Sequence, residues 1–397
     1  MNNIDNFITG LKQYLYNTGI QRKDGGVNIA YDWKEKTHPF IYHEITGYGV
    51  SVGVNCYEWY GDESYLNLAK LSAKYLIDVK ELDRKSIFHG VWNSTNKKSG
   101  RYYTFDNAII LQGLCALYKY WQDEALYDLI DSISDWLVCD MQTKEGKFYA
   151  YVDEEGAKDH YLETFEGDFG CLHAKHSVGL FRAAEITNKR EYFDAAVKVS
   201  NWVLELQEKG SGLFWTNEFK NNVFTHSHCY TLEGLLYTFW ETKDNKYLES
   251  VQRGAEALKN LQRIDGSIPH TPVDNRGLKP RIRSFLAKGV TTDATTQAAK
   301  LWMALDRMED NADYSKQINK ALAWVESQQA LLGDGDKNRS GGLYYHVRDL
   351  PFLDKKHPHM NTWCSQFALC ALETWKGMGH DDSKITLDLD GIKKQWL

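Results

Sequence analysis

The chain has 397 residues, of which 43% are hydrophobic, 25% charged and 13% aromatic, and its 54 acidic and 47 basic side chains give a formal net charge of −7. That apolar and aromatic content excludes a disordered chain, and only 6 prolines and 30 glycines exclude a collagen-like or low-complexity one. The interspersed, mildly acidic charge leaves no basic footprint for nucleic acid, and no run reaches the roughly 18 apolar residues of a membrane span.

At about 100–200 residues per domain the length alone suggests two or three domains, but an internal repeat replaces that expectation. The first element is an amphipathic helix over residues 4–16. Asp5, Lys12 and Gln13 interrupt it, so it does not read as a secretion signal and a cytoplasmic protein is expected. A helix over 44–60 follows, then a polar turn, and Tyr65 opens a second helix. The same succession recurs with 106–121 and Tyr127, 173–186 and Tyr192, 228–240 and Tyr247, and 293–308 and Tyr314. Gln142, Gln207, Gln262 and Gln328 stand 14 or 15 residues after the last four tyrosines, which makes each second helix about four turns long.

Each second helix leads into a glycine turn and a short aromatic strand, around Trp92, Gly146, Ser211, Asp265 and Gly341. A sixth first helix, 361–375, has no complete partner after it, and the N-terminal helix supplies the missing one. The first helices are apolar nearly all round and the second ones amphipathic, as inner and outer layers require. The expected fold is therefore all-α: a single (α/α)6 toroid over 1–397, its ring closed by 4–16 against 361–375, with short β pieces and long loops at one mouth. The seven cysteines (Cys56, Cys115, Cys139, Cys171, Cys229, Cys364 and Cys370) are odd in number and lie mostly among apolar helical neighbours, so reduced core residues are expected.

Inner helices that run in one direction gather their N-termini at one mouth, and ionisable side chains concentrate there. Glu44, Asp106 and Asp293 are the candidate acid and base groups, with His228 and His173 as further catalytic candidates. His43, Tyr48, Tyr103, His176, His226, Tyr230, Glu233, Asn361 and Trp363 are candidate substrate contacts. Helix capping alone accounts for Asp or Asn at such positions, but not for the histidines or for Glu44 and Glu233. The long connections add acids (Glu163, Glu166 and Asp168), arginines suited to a carboxylate (Arg281 and Arg283) and a possible lid over 333–360. No CxxC or HExxH string is present, and neither metal nor cofactor is expected.

The strings HEITGY, FDNAIILQGL and HSHCYTLEGLL resemble those of the six-hairpin, (α/α)6-toroid carbohydrate-active superfamily, in particular the glucuronyl C5-epimerase-like and six-hairpin glycosidase-like proteins found with polysaccharide genes. The resemblance implies an enzyme of glycan metabolism: a glycoside hydrolase acting on an oligosaccharide, acidic ones included, through carboxylate acid/base chemistry. A uronate C5-epimerase or lyase, and a non-catalytic glycan-binding toroid, are the alternatives. Neither the paired-Asp signature of mannanases nor the full tyrosine set of the C5-epimerases is found, so no family's catalytic set carries over whole.

Overall fold

The computed structural model describes residues 4–80, 91–93, 95, 100–159, 169–220, 222–272, 289–308, 313–333, 335–347, 357–380 and 388–396. Six inner helices form a ring: α2 (His43–Tyr60), α4 (Thr104–Tyr118), α6 (His176–Thr187, after a 3-10 turn Cys171–Lys175), α8 (Thr225–Thr242), α10 (Thr292–Met308) and α12 (Thr362–Trp375). Each packs on the next, and α12 packs back on α2. Outside them lie α1 (Ile4–Asn17), α3 (Glu63–Val79), α5 (Glu124–Asp135, running on into a π turn), α7 (Arg190–Leu204), α9 (Asn245–Leu261) and α11 (Ser315–Ser327). The expected (α/α)6 toroid is the observed one. Burial separates the layers: 13 of the 15 residues of α4 are buried against 7 of the 17 of α9. A last short helix, α13 (Leu389–Lys394), brings Trp396 into the core. Among the described residues no helix is long and apolar enough to cross a membrane.

Each helix pair is tied by its own backbone. The strand after an outer helix returns to the start of the inner helix of the same pair: β2 (Arg101–Tyr103) with β3 (Tyr151–Asp153), and β5 (Val290–Thr291) with β6 (His346–Val347). A fourth strand, β4 (Lys158–Asp159), extends the first of these sheets. β1 (Ala30–Asp32), which follows α1, pairs in the same manner with β7 (His359–Asn361), which precedes α12. α1 and α12 thus behave as one hairpin although they stand near opposite ends of the sequence. A buried threonine reinforces the tie in four pairs, its hydroxyl donating to a carbonyl of the returning strand: Thr104 to Tyr149, Thr225 to Pro269, Thr292 to Tyr344 and Thr362 to Asn28.

Neighbouring pairs are joined by a glutamine. Gln142, Gln207, Gln262 and Gln329 each donate from Nε2 both to the carbonyl of a glycine in their own turn and to a carbonyl of the next outer helix: Ala195, Ser250, Gln317 and Phe7. Gln21 repeats the contact on α3 through Leu68. The glutamine of the fifth unit is Gln329, not Gln328, which restores a constant spacing of 15 residues from the tyrosine. The glycines of these turns (Gly25, Gly146, Gly212, Gly266 and Gly341) all have positive φ, and a Cβ on any of them would collide with a backbone carbonyl of the adjacent outer helix. Six of the seven cysteines are buried and Cys139 is exposed; all seven are free thiols.

Gly333 also has positive φ but has open space around its Cβ position. Gly333→Ala is expected to cost about 1–2 kcal/mol, the strain of the left-handed backbone alone. Gly266→Ala should add a further 1–3 kcal/mol or so from the collision with Lys320. Urea unfolding of the two variants measures the difference, and equal losses would refute the packing role of the turn.

Candidate active site

Three outer helices are capped by an aspartate that accepts backbone N–H groups: Asp62 from Ser64, Asp123 from Ala125 and Leu126, Asp244 from Lys246; Lys189 before α7 and Tyr314 before α11 make no side-chain cap bond. The residues that precede α2, α4, α6, α8 and α12 (Tyr42, Tyr103, Lys175, Phe224 and Asn361) make no side-chain cap bond. Asp106 is therefore not an N-cap, and Asn361 sits at the N-cap position without capping; as the last residue of β7 it pairs with Ala30.

The inner helices project side chains toward the ring axis at i, i+4 and i+7, the spacing that stacks residues on one helix face. These columns are Glu44 and Tyr48 on α2; His226, Tyr230 and Glu233 on α8; Asp293, Gln297 and Lys300 on α10; and Trp363, Phe367 and Cys370 on α12. They converge. The Tyr48 hydroxyl donates to that of Tyr230 at 3.2 Å, and the ring of Phe367 lies 5.2 Å from Tyr48 and 6.2 Å from Tyr230. Phe105 of α4 closes on Tyr230 at 5.0 Å. This aromatic layer is the floor of the mouth. Burial, and after it the nearby Glu44 carboxylate for Tyr48, hold both hydroxyls well above their ordinary pKa, so they serve as hydrogen-bonding groups and not as bases.

Over that floor lies the acid cluster. Asp293 is fully buried, which pushes its pKa up, yet His226 at 3.6 Å, the Trp363 indole N–H at 3.1 Å, Thr291 and the Ala294 N–H outweigh burial and hold it below the usual carboxylate range. It is a desolvated but ionised carboxylate. His226 Nδ1 lies 2.6 Å from Gln297 Oε1, and the ring packs 4.4 Å from Tyr230. Asp106, also buried, receives the Tyr42 hydroxyl at 3.3 Å, and Glu44 and Asp106 are both within electrostatic reach of Tyr48. In ring order α4 stands opposite α10, and α2 opposite α8. Glu44 thus faces His226 across the ring; on α4 the axis-facing position is held by Phe105, and Asp106, one residue on, is turned toward α2 through Tyr42. Under the floor a buried ion pair joins Lys175 to Glu233 at 2.8 Å, and Lys300 lies 4.8 Å over the Trp396 ring.

Other candidates are placed elsewhere. His228 does not serve the mouth: its Nδ1 accepts the Phe214 N–H and its Nε2 donates to the Gly254 carbonyl on the outer layer. Thr46, Asn107, Thr295 and Ser365 occupy the same helix position in other repeats and accept the same kind of strand N–H. His228 is the repeat's backbone acceptor in another residue type. His173 and His176 stack on each other at 4.8 Å beneath Phe148, both buried, and burial lowers His173 to about 3 and holds His176 well below its ordinary value. They are neutral at any physiological pH and closed off from the mouth. His43 is fastened through Nδ1 to the Asn93 carbonyl and packs on Tyr75 of the outer layer. Tyr103 lies in β2, its ring 5.4 Å from Tyr151. Glu163, Glu166, Asp168, Arg281 and Arg283, and most of the 333–360 loop's tip, lie outside the described residues. Among the described residues no three His, Cys, Asp or Glu side chains converge as metal ligands. Sequence reasoning missed Lys175, Gln297 and Trp396. The signal for the first two was their place among small and apolar residues on an inner-helix face.

No family model matches the chain, and no curated protein matches it in sequence. Its fold does match solved structures. The cellobiose 2-epimerase of Bacillus thermoamylovorans B4167 superposes with a TM-score of 0.74 at 14% identity, over 93% of this chain and 98% of that one. A D-mannose isomerase gives 0.72 at 13% identity over 94% and 97%, and an unsaturated glucuronyl hydrolase specific for heparin gives 0.69 at 13% identity over 96% and 98%. All are (α/α)6 toroids, and the likeness is one of fold.

Burial lowers the His228 pKa from 6.5 to about 4. The unfolded chain therefore binds a proton below pH 6.5 that the native chain refuses, and stability drops as pH falls from 6.5 to 4, by about 3 kcal/mol in all. His228→Asn keeps an acceptor, as Asn107 does, and removes that titration. Chemical denaturation of both proteins at pH 7, 5.5 and 4.5 should show the variant losing less stability on acidification.

Proposed function

We propose that the chain is a carbohydrate-active enzyme whose reaction centre is Asp293 with His226 and Trp363 on one wall, with Glu44 across the ring from His226 and Asp106 on the helix next to that of Glu44. The observation that carries this is Asp293, buried yet held ionised by groups aimed at it. A carboxylate kept ionised there is available as the base at neutral pH, and Glu44 and Asp106, both buried and both acting on Tyr48, are the carboxyl groups offered as its acid partner. An ionised base across a mouth from a protonated acid is the division of labour that glycoside hydrolysis needs. Asp293 then activates water, and Asp106 or Glu44 protonates the leaving oxygen. Trp363 and Tyr42, both partly exposed, flank the two carboxylates with aromatic faces suited to a sugar ring. The fold supports the substrate class, since the neighbours named above comprise an epimerase, an isomerase and a hydrolase of sugars. Arg281 and Arg283, in the connection that precedes α10, remain the candidates by sequence for a substrate carboxylate.

A second reading is proton abstraction from a sugar carbon, as in a uronate C5-epimerase or lyase. His226 favours it: a histidine hydrogen-bonded on Nδ1 and adjacent to an ionised aspartate is a ready proton acceptor.

Asp293→Asn and Asp106→Asn are each expected to lower kcat/KM about 10²–10⁴-fold against the responsive oligosaccharide while the unfolding midpoint stays close to that of the parent. Unchanged turnover in both would exclude the assignment, and binding without turnover across a panel of neutral and uronate-containing oligosaccharides would make the toroid a glycan-binding protein. With Asp293 as base, the acid limb of kcat/KM should fall below about pH 4, the ordinary carboxylate value. Reaction in D2O separates the two readings: deuterium on a sugar carbon of recovered substrate or epimer marks proton abstraction, and a new reducing end without carbon-bound deuterium marks hydrolysis.

A further inference from the structure

His226 is joined to the ion pair beneath the aromatic floor by a chain of buried groups. Lys175 Nζ donates to Glu233 Oε2 at 2.8 Å, Gln297 Nε2 donates to Glu233 Oε1 at 3.3 Å, and Gln297 Oε1 lies 2.6 Å from His226 Nδ1. The four residues come from three inner elements, and none is more than 9% exposed. Their chemistry allows one arrangement of protons. An ionised carboxylate only accepts, so the amide of Gln297 must turn its NH2 end to Glu233. Its oxygen then faces His226, and an oxygen requires a donor. His226 must therefore carry a proton on Nδ1, which leaves Nε2 as the acceptor of the neutral ring. Asp293 lies on the same Nδ1 side but at 3.6 Å, beyond hydrogen-bonding distance, so it stabilises positive charge on the ring without fixing the tautomer.

We propose that Lys175, Glu233 and Gln297 are positioning residues that hold His226 in its Nδ1–H tautomer and so present Nε2 to the sugar. This rests on the mouth being the substrate site. It assigns a purpose to an arrangement that stability does not require, because a buried ion pair is often replaceable by apolar residues of similar volume at no cost. Lys175 donates to Glu233, Glu233 accepts from the Gln297 amide and so orients it, and the amide sets the proton on His226. The same atom works in both readings: Nε2 accepts a sugar hydroxyl in hydrolysis or takes the carbon-bound proton in epimerisation.

The test reads the ring nitrogens directly. In 15N-labelled protein above the His226 pKa, with its signals identified by their loss in His226→Gln, long-range 1H–15N correlation should show protonated Nδ1 and unprotonated Nε2. In the double variant Lys175→Met with Glu233→Leu the amide loses the carboxylate that orients it, and the pattern should move toward Nε2–H or a mixture. Gln297→Met, which removes the amide itself, should shift it likewise and serves if the double variant does not fold. An Nε2–H tautomer in the parent protein, or an unchanged pattern in the variants, overturns the proposal. With an active substrate, kcat should fall between about 10- and 10⁴-fold, more than KM changes. The spectrum needs no substrate, so failure of the functional reading and failure of the tautomer assignment are separately visible.

Discussion

The structure depends on a contact between one glutamine and two backbones. At the end of an outer helix a primary amide donates to its own glycine turn and to the neighbouring outer helix, and the glycine beside it has no side chain, so the two backbones can touch. Four such links are described, from α5 to α7, α7 to α9, α9 to α11 and α11 to α1, and from α1 to α3 Gln21 donates to Leu68 and to Ser72, whose hydroxyl donates to the Gly25 carbonyl. Because each link is rigid and nearly the same, the step between pairs is fixed, and a constant step repeated six times returns to its start. Apolar burial holds the layers together. The amide and the glycine set the spacing of neighbouring pairs, and the pairing of β1 with β7 closes the ring.

With the step fixed in the outer layer, the inner helices are free to carry residues that a folding core would reject. Five inner helix starts lack side-chain caps, and carboxylates stand within the first turn, where the helix dipole favours negative charge. An i, i+4, i+7 pattern then runs polar groups down the axis: Asp293, Gln297 and Lys300 on one helix, His226, Tyr230 and Glu233 on the next. Except for Lys300, which lies over the Trp396 ring, these groups pair across helices. The interior is thus a hydrogen-bonded column with an aromatic layer across it, and the chemistry of the mouth is continuous with the packing beneath.

The architecture was legible because it is periodic. Tyrosine, glutamine and glycine at fixed intervals are physical necessities of the outer ring, and their repetition shows in a single sequence. The site was legible in part. Glu44, Asp106, His226, Asp293 and Trp363 were recoverable as ionisable or aromatic residues at inner-helix starts. What the sequence hides is rotation about the helix axis. His226 and His228 are two residues apart, so their side chains diverge by about 200°, one toward the axis and the other toward the outer layer. A 3-10 turn before α6 shifts the phase again, which buries His173 and His176 and turns Lys175 inward. Lys175 and Gln297 went unnoticed because a buried amine or amide is recognisable only by its partner, and Glu233 lies 58 residues from the one and 64 from the other.

The pairing of β1 with β7 joins segments more than 300 residues apart, and the Tyr14 hydroxyl bonds to the Met360 carbonyl across 346 residues. A chain emerging from the ribosome can stack its earlier helix pairs one on another, but this hairpin has to wait for the final helix. Until then α2 has no neighbour on one flank, and Asp293 lacks the indole of Trp363. Contacts of such long sequence separation are slow to form because loop closure must precede them. The wall around Asp293 is therefore completed only when α12 has docked and its indole reaches the carboxylate.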